Sequence, residues 1–464
     1  MPPNPGPAAL IDAIDIGGAV ATDDVVVRSH SLFTRLARNV GWLLGGQGVA
    51  GLFGLVFLGL AARALGPVQF GLFALALTFG QLCSNISHFE SWKGVIRFGS
   101  LHLAAERNDR LRRLLGFSAF LDWASAIGGA AAAVIIALLA GPWFGWDLHL
   151  RIQAATFAAA MVIASGGTPT GILRLCNRFD LLAGAEAVAP LVRMMGAIAA
   201  WALGGGVSAF LGVWASAALL QLLATWCAAL AMPAVGLRLG RNACVQALRE
   251  NDGLWRFMWQ TSIASSLRFV SLQTGTIAVG AVAGPVSAGG FRLADRLTVA
   301  SAKPAEQLAR VVYPELAHFV ASDDRATLHR LFYRASLISV SIAALLVLVS
   351  VTAGRLILTL VAGSKFAFAQ PFLVVLGLAV AIELGGFILE PFHNAHGNAG
   401  LVLRARLASM VTYLVMLLLL LRPLGAMGAA YAAAASAALF VALLALGARQ
   451  LLARRLPQPE ESSP

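Results

Sequence analysis

The sequence predicts an all-α integral membrane protein with twelve transmembrane helices in two six-helix lobes related by a parallel pseudo-two-fold repeat. Three observations predict it. Hydrophobic residues make up 59% of the 464 and charged residues 12%, with a mean hydropathy of +0.79, too apolar to cover a water-facing surface. Apolar runs of about 20 residues, enough to cross a hydrocarbon core of roughly 30 Å as helix, recur along the chain. An eight-residue phrase occurs twice, GPVQFGLF at 66–73 and GPVSAGGF at 284–291, an offset of 218 that also aligns Arg38 with Arg256 and Leu75 with Leu293.

Residues 1–35 open with proline and glycine, then carry Asp12, Asp15, Asp23 and Asp24. They lack the basic start and apolar core of a signal peptide and read as a disordered cytoplasmic tail. The first lobe, 36–235, holds apolar runs at 39–62, 70–93, 114–140, 152–173, 182–203 and 207–232. Gly66 and Pro67 between the first two mark a tight turn. Segment 236–256, with Arg238, Arg241, Arg249, Glu250 and Asp252, reads as a cytoplasmic linker. The second lobe, 257–455, holds runs at 258–282, 286–312, 334–353, 367–391, 402–421 and 424–447, and 456–464 is a polar cytoplasmic tail. Cys83, Cys176, Cys227 and Cys244 lie in or beside apolar runs without metal-ligand spacing and are expected to be free thiols.

Charge assigns the sides. Twenty-three basic residues fall in alternate loops and termini, against five in the loops between them (Arg63, Arg151, Arg355, Lys365 and Arg422). The richer side is cytoplasmic by the positive-inside rule, so both termini are expected there. An even number of spans per lobe gives both lobes one orientation and an axis along the membrane normal. The net charge of +12 is spread in short clusters between apolar runs. That suits membrane lipid head groups and argues against nucleic acid.

A charge at bilayer depth costs about 2.5–3.5 kcal/mol and normally faces a bundle interior or a wet cavity. Arg193, Arg268 and Arg296 each lie roughly 15 Å into their helices at about 1.5 Å per residue, and Arg292 shares a face with Arg296 one turn away. These four are candidate cavity residues for an anion, since the guanidinium fork suits phosphate. The alternative is internal ion pairing, of Arg292 or Arg296 with Asp295, or of Arg193 with a carboxylate on a neighbouring helix. Asp122, Asp295 and Glu383 are candidate coupling or ion-pair carboxylates. Asp295 stands beside two arginines, which suits pairing better than proton carriage, whereas Glu383 has no basic neighbour within a turn of its helix. Glu90 and Lys93, near the cytoplasmic end of the second span, either snorkel to head groups or gate the cavity by pairing across to the second lobe. His393 and His396 have no carboxylate or cysteine to complete a metal set. The longest external loops, near 141–151 and 354–366, contain no nucleophile motif, paired carboxylates or phosphate-binding glycine loop. Neither a catalytic site nor a metal site is expected.

The run ARALGPVQFGLFALAL at 62–77, Arg97 with the charged loop ending in Arg112 and Arg113, and VVYPELAHF at 311–319 resemble the polysaccharide repeat-unit (lipid-linked oligosaccharide) flippase family of the multidrug/oligosaccharidyl-lipid/polysaccharide exporter superfamily. The resemblance covers roughly residues 35–450. It implies an alternating-access transporter, without cofactor, that moves a polyprenyl-pyrophosphate-linked oligosaccharide from the cytoplasmic to the outer leaflet of the bacterial inner membrane. The product would serve lipopolysaccharide O-antigen, capsule or exopolysaccharide, with glycosyltransferases and a polysaccharide polymerase as candidate partners. A drug or organic-cation exporter of the same superfamily is the nearest alternative, but it calls for carboxylates and aromatic faces at mid-membrane. An oligosaccharide polymerase or ligase would resemble proteins with a larger external loop.

Overall fold

The computed structural model describes residues 22–232, 236–238, 240–321, 325–396 and 398–453, with side chains described from Gly51 onward except at 302–332 and a few single positions, Arg268 among them. All regular structure among the described residues is helical: two short 3-10 helices, Gly141–Phe144 and Ser364–Ala369, and fifteen α-helices. They are α1 (Thr22–Ser87), α2 (Ser91–Ala104), α3 (Asn108–Ala140), α4 (Leu148–Ile163), α5 (Thr168–Leu175), α6 (Phe179–Ala202), α7 (Val207–Leu230) and α8 (Arg241–Glu250), then α9 (Leu254–Ala321), α10 (Arg325–Thr352), α11 (Gly354–Ala362), α12 (Gln370–Gly385), α13 (Leu389–Ala395), α14 (Ala399–Leu424) and α15 (Ala426–Ala453). Among the described residues nine helices are long and apolar enough to cross a membrane, or ten if α10 and α11, bent by 70°, make one span.

The expected disordered tail needs correction. Helix α1 begins at Thr22, because Val25, Val26, Leu32, Phe33 and Leu36 supply apolar positions and no proline or glycine interrupts 19–40. Residues 1–21 and the 456–464 tail lie outside the described residues.

Two long helices turn without ending. Gly66 (φ 68°, ψ 176°) interrupts α1 and Gly284 (φ 78°, ψ 175°) interrupts α9, in a backbone region that essentially only glycine occupies. Each glycine precedes a proline, so the repeated phrase marks the same turn twice. Five residues beyond each turn the segments meet. A Cβ on Gly71 would lie 2.0 Å from the Pro285 carbonyl oxygen, and one on Gly289 would lie 3.0 Å from the Gly71 Cα. Bare backbone at both positions permits this approach.

Three predicted spans are broken in the structure. The run 70–93 stops at Ser87 and resumes at Ser91, 152–173 is interrupted between Ile163 and Thr168, and 367–391 between Gly385 and Leu389. Gly166, Gly167 and Pro169 explain the second break, since proline fits the first turn of a new helix but not the interior of an old one. Gly385 and Gly386 accompany the third.

The core is aromatic where α1 meets α7. Phe57 packs edge-on to Phe210 and Trp214, with ring centroids 5.9 and 5.0 Å apart, and Phe70 packs edge-on to Phe366 at 5.3 Å. The 236–256 segment is held down. Arg113 makes a two-pronged bond to Glu250 (3.0 and 2.7 Å), Arg238 pairs with Asp109 at 3.2 Å, and His102 bonds Asn251 at 2.8 Å. Arg63, one of the five basic residues of the poorer side, donates to the Leu360 and Val361 carbonyls at the end of α11, where orphan carbonyls attract a cation.

Candidate functional site

The turns at Gly66 and Gly284 bring polar positions of α1 and α9 together. Gln81 follows the first turn, Gln273 precedes the second, and Arg292 and Arg296 follow it. The Gln81 Oε1 accepts from Arg292 Nη2 at 2.6 Å, Gln273 Nε2 at 3.3 Å and Arg296 Nη2 at 3.4 Å. Arg292 Nη1 also donates to Gln273 Oε1 at 2.8 Å, so its hydrogen bonds run to two amides and not to Asp295. Arg292 is 1% exposed and its Nε has no partner among the described residues, while Arg296 is half-buried.

This geometry concentrates charge. A buried cation is ordinarily matched by a carboxylate, yet here two guanidinium groups share one neutral oxygen, with Asp295 the nearby acid. The amide satisfies hydrogen bonds without cancelling charge. An anionic oxygen in the place of Gln81 Oε1 would form stronger, charge-assisted bonds with the same donors.

The other predicted residues are placed as follows. Arg193, in α6, stacks on the Trp214 ring of α7 at 4.1 Å, and its Nε and Trp214 Nε1 have no partner among the described residues. The contacts of Arg193 are therefore separate from those of Arg292 and Arg296. The Arg268 side chain lies outside the described residues, although its backbone is within α9. Glu383, a candidate coupling or ion-pair carboxylate, meets Arg406 of α14 at 3.7 Å, and Arg406 also reaches Glu390 at 3.0 Å while stacking on Phe440. A pattern read along one helix misses a partner on the next.

Glu90 and Lys93 pair with each other at 3.3 Å, and Glu90 Oε2 accepts from Trp92 Nε1 at 2.5 Å. Their link to α9 is made by serines, the Glu90 N–H donating to Ser262 Oγ at 3.0 Å with Ser265 beside the carboxylate. Asp122 accepts backbone N–H groups of Gly167 and Thr168 through Oδ2. His393 Nε2 donates to the Leu444 carbonyl at 2.8 Å. Gln81 and Gln273, central to the site, were absent from the sequence candidates, because a neutral amide in an apolar run carries no charge signal.

Kinked and broken apolar helices define a multi-pass, all-helical membrane protein. Solved structures share the fold. An inward-facing multidrug resistance MATE family transporter of the MOP superfamily aligns with a TM-score of 0.62 at 15% identity over 88% of this chain and 94% of that one. The lipid II flippase MurJ in an inward closed conformation aligns with a TM-score of 0.65 at 14% identity over 88% of this chain and 87% of its own. Inner membrane protein YghQ of Escherichia coli (strain K12) is 30% identical over 343 residues, 72% of this chain and 94% of the relative. The model of the family described as polysaccharide biosynthesis protein matches residues 36–320, and the chain belongs to that family.

Proposed function

We propose that this protein is an alternating-access flippase that carries a polyprenyl-pyrophosphate-linked oligosaccharide from the cytoplasmic to the outer leaflet of the bacterial inner membrane for cell-surface polysaccharide synthesis. The observation that carries the proposal is the pair Arg292 and Arg296 converging on one amide oxygen of α1. Pyrophosphate oxygens would take the donors that Gln81 holds, and the polyprenyl tail would remain in lipid. The family match and the lipid II flippase fold support a lipid-linked cargo. Arginine at the point where α1 and α9 meet repels the organic cation that the alternative reading requires.

Twelve spans in two lobes fit this reading. The segment Phe53–Ala104 has 52 residues and α9 has 68, about 78 and 102 Å at 1.5 Å per residue, far beyond one crossing. Dividing each at its glycine turn, and counting α10 with α11 as one crossing, gives twelve. Gly71 and Gly289 are equivalent under the offset of 218 and lie against each other, as residues on a pseudo-two-fold axis do. In this arrangement both termini are cytoplasmic. Glycosyltransferases would supply the cargo and a polymerase would consume it.

The test is transport of a fluorescent polyprenyl-pyrophosphate oligosaccharide in proteoliposomes, beside complementation of a deletion strain. Arg292→Ala and Arg296→Ala should each accumulate lipid-linked repeat units on the cytoplasmic leaflet. Full transport by both at normal abundance would end the proposal.

A further inference from the structure

The chain between α10 and α12 is tied across to α1. After Thr352 it bends by 70° into α11, and Gly363 (φ 95°) turns it again into the 3-10 helix Ser364–Ala369. Glycine stands at both bends, Gly354 and Gly363. Residues 354–369 belong to the second half of the sequence, yet α1 supplies their polar anchor. Arg63 Nε donates to the Val361 carbonyl at 3.2 Å, and its Nη2 donates to that of Leu360. One turn earlier, a Cβ on Gly59 would lie 2.7 Å from the same Val361 oxygen. Beyond the Gly66 turn, the buried Phe366 ring packs edge-on to Phe70 at 5.3 Å. Phe368, stacked on Phe366 at 6.1 Å, lies against α9, where a Cβ on Gly290 would come within 2.7 Å of its ring. One short segment thus touches α1 on both sides of its turn and α9 just past its own.

The equivalent loop of the first half behaves differently. An offset of 218 sets residues 136–151 opposite 354–369. There Trp146 packs on Phe79 at 5.6 Å, and Arg151 donates to the Leu138 and Asp147 carbonyls. These bonds stay within the first half, so the tie made by Arg63 is no simple consequence of the repeat. It is also a tie that can be undone. Its acceptors are neutral carbonyls in the last turn of α11, which the helix leaves unused, and Arg63 is exposed, so water can replace them at modest cost. The ring and glycine contacts beside it are flat surfaces that separate without unthreading.

We infer that residues 354–369 are a strap that holds the molecule shut on the side of the Gly66 and Gly284 turns, with Arg63 as its release point. Opening on that side takes the Arg63 fork off Leu360 and Val361 and the Phe366 ring off Phe70, while the backbone at Gly354 and Gly363 absorbs the movement. The strap's part in transport rests on the alternating-access reading, which makes this the outer side; its movement can be measured without cargo.

Spin labels at Val68→Cys and Lys365→Cys, both exposed positions, report the strap in full-length protein whose four native cysteines are replaced, held in lipid nanodiscs. The expected result is a short distance with a minor longer one, the longer population rising about tenfold in Arg63→Ala. Arg63→Lys, whose ammonium still reaches one carbonyl, should restore most of the short population, which separates release from misfolding. A reducible bifunctional thiol reagent joining the same two cysteines should stop transport, and reductant should restore it. One unchanged distance in wild type and Arg63→Ala overturns the strap whatever the cargo. Full transport by the joined protein overturns its role as a gate. Distances that shift with Arg63 in a protein that moves no polyprenyl-pyrophosphate substrate would uphold the strap and sink the flippase assignment.

Discussion

Arg292 is the most constrained charge described in the molecule, buried and bonded only through amide oxygens. Gln81→Glu places a carboxylate at the shared acceptor, which should raise the melting temperature while transport falls about tenfold, ~1.4 kcal/mol of barrier, because the anion site is then filled by the protein itself. A stable, inactive variant is a result that a purely structural arginine would not give. Arg292→Lys should lose transport nearly as fully as Arg292→Ala, since one ammonium cannot span Gln81 and Gln273; near-normal flux in the lysine variant would argue against fork recognition. At this scale the sequence was legible for charge and silent for neutral polarity. Arginines deep in apolar runs stand out, and their pairing with Gln81 and Gln273 depends on an approach of α1 to α9 that no local pattern records. Arg193 shows the converse: its depth was readable and its aromatic seat on Trp214 was not.

Helices here owe their shape to glycine. Gly66→Ala and Gly284→Ala force a side chain into a region that costs about 1–3 kcal/mol, and each should lower the thermal midpoint in detergent while leaving helix content unchanged by circular dichroism. Gly71→Ala should act through another route, since its Cβ would meet the Pro285 carbonyl; overpacking of that kind also costs about 1–3 kcal/mol. Wild-type stability in Gly71→Ala would mean that the two segments separate readily. The repeated Gly-Pro phrase made both turns visible in sequence. The break before α5 was missed within the run 152–173, although Gly166, Gly167, Thr168 and Pro169 form a stop followed by a start. The stop at Ser87 was not legible, because no glycine or proline lies between Gly80 and Lys93 and tertiary packing there overrides local preference.

Orientation belongs to the whole molecule. Cys244 lies in α8, outside the spans, and burial raises its thiol above the usual range. A variant keeping only this cysteine should resist an impermeant maleimide in intact cells and react in inverted membrane vesicles. The rate should climb with pH, because the thiolate is the reactive form and a raised pKa leaves it scarce near neutrality. Labelling from the outside would reverse the assigned sidedness. Composition was sufficient for class, since it sums over hundreds of residues, whereas the crossing count depends on deciding where a continuous helix turns back.

Gly71 against Gly289 is backbone on backbone, with no rotamers to unlock and no interdigitated knobs to lift past one another. At that point no side chain would have to repack if α1 and α9 tilted against each other. On the alternating-access proposal, whatever holds one state over the other would lie away from this point, at pairs such as Glu250 with Arg113.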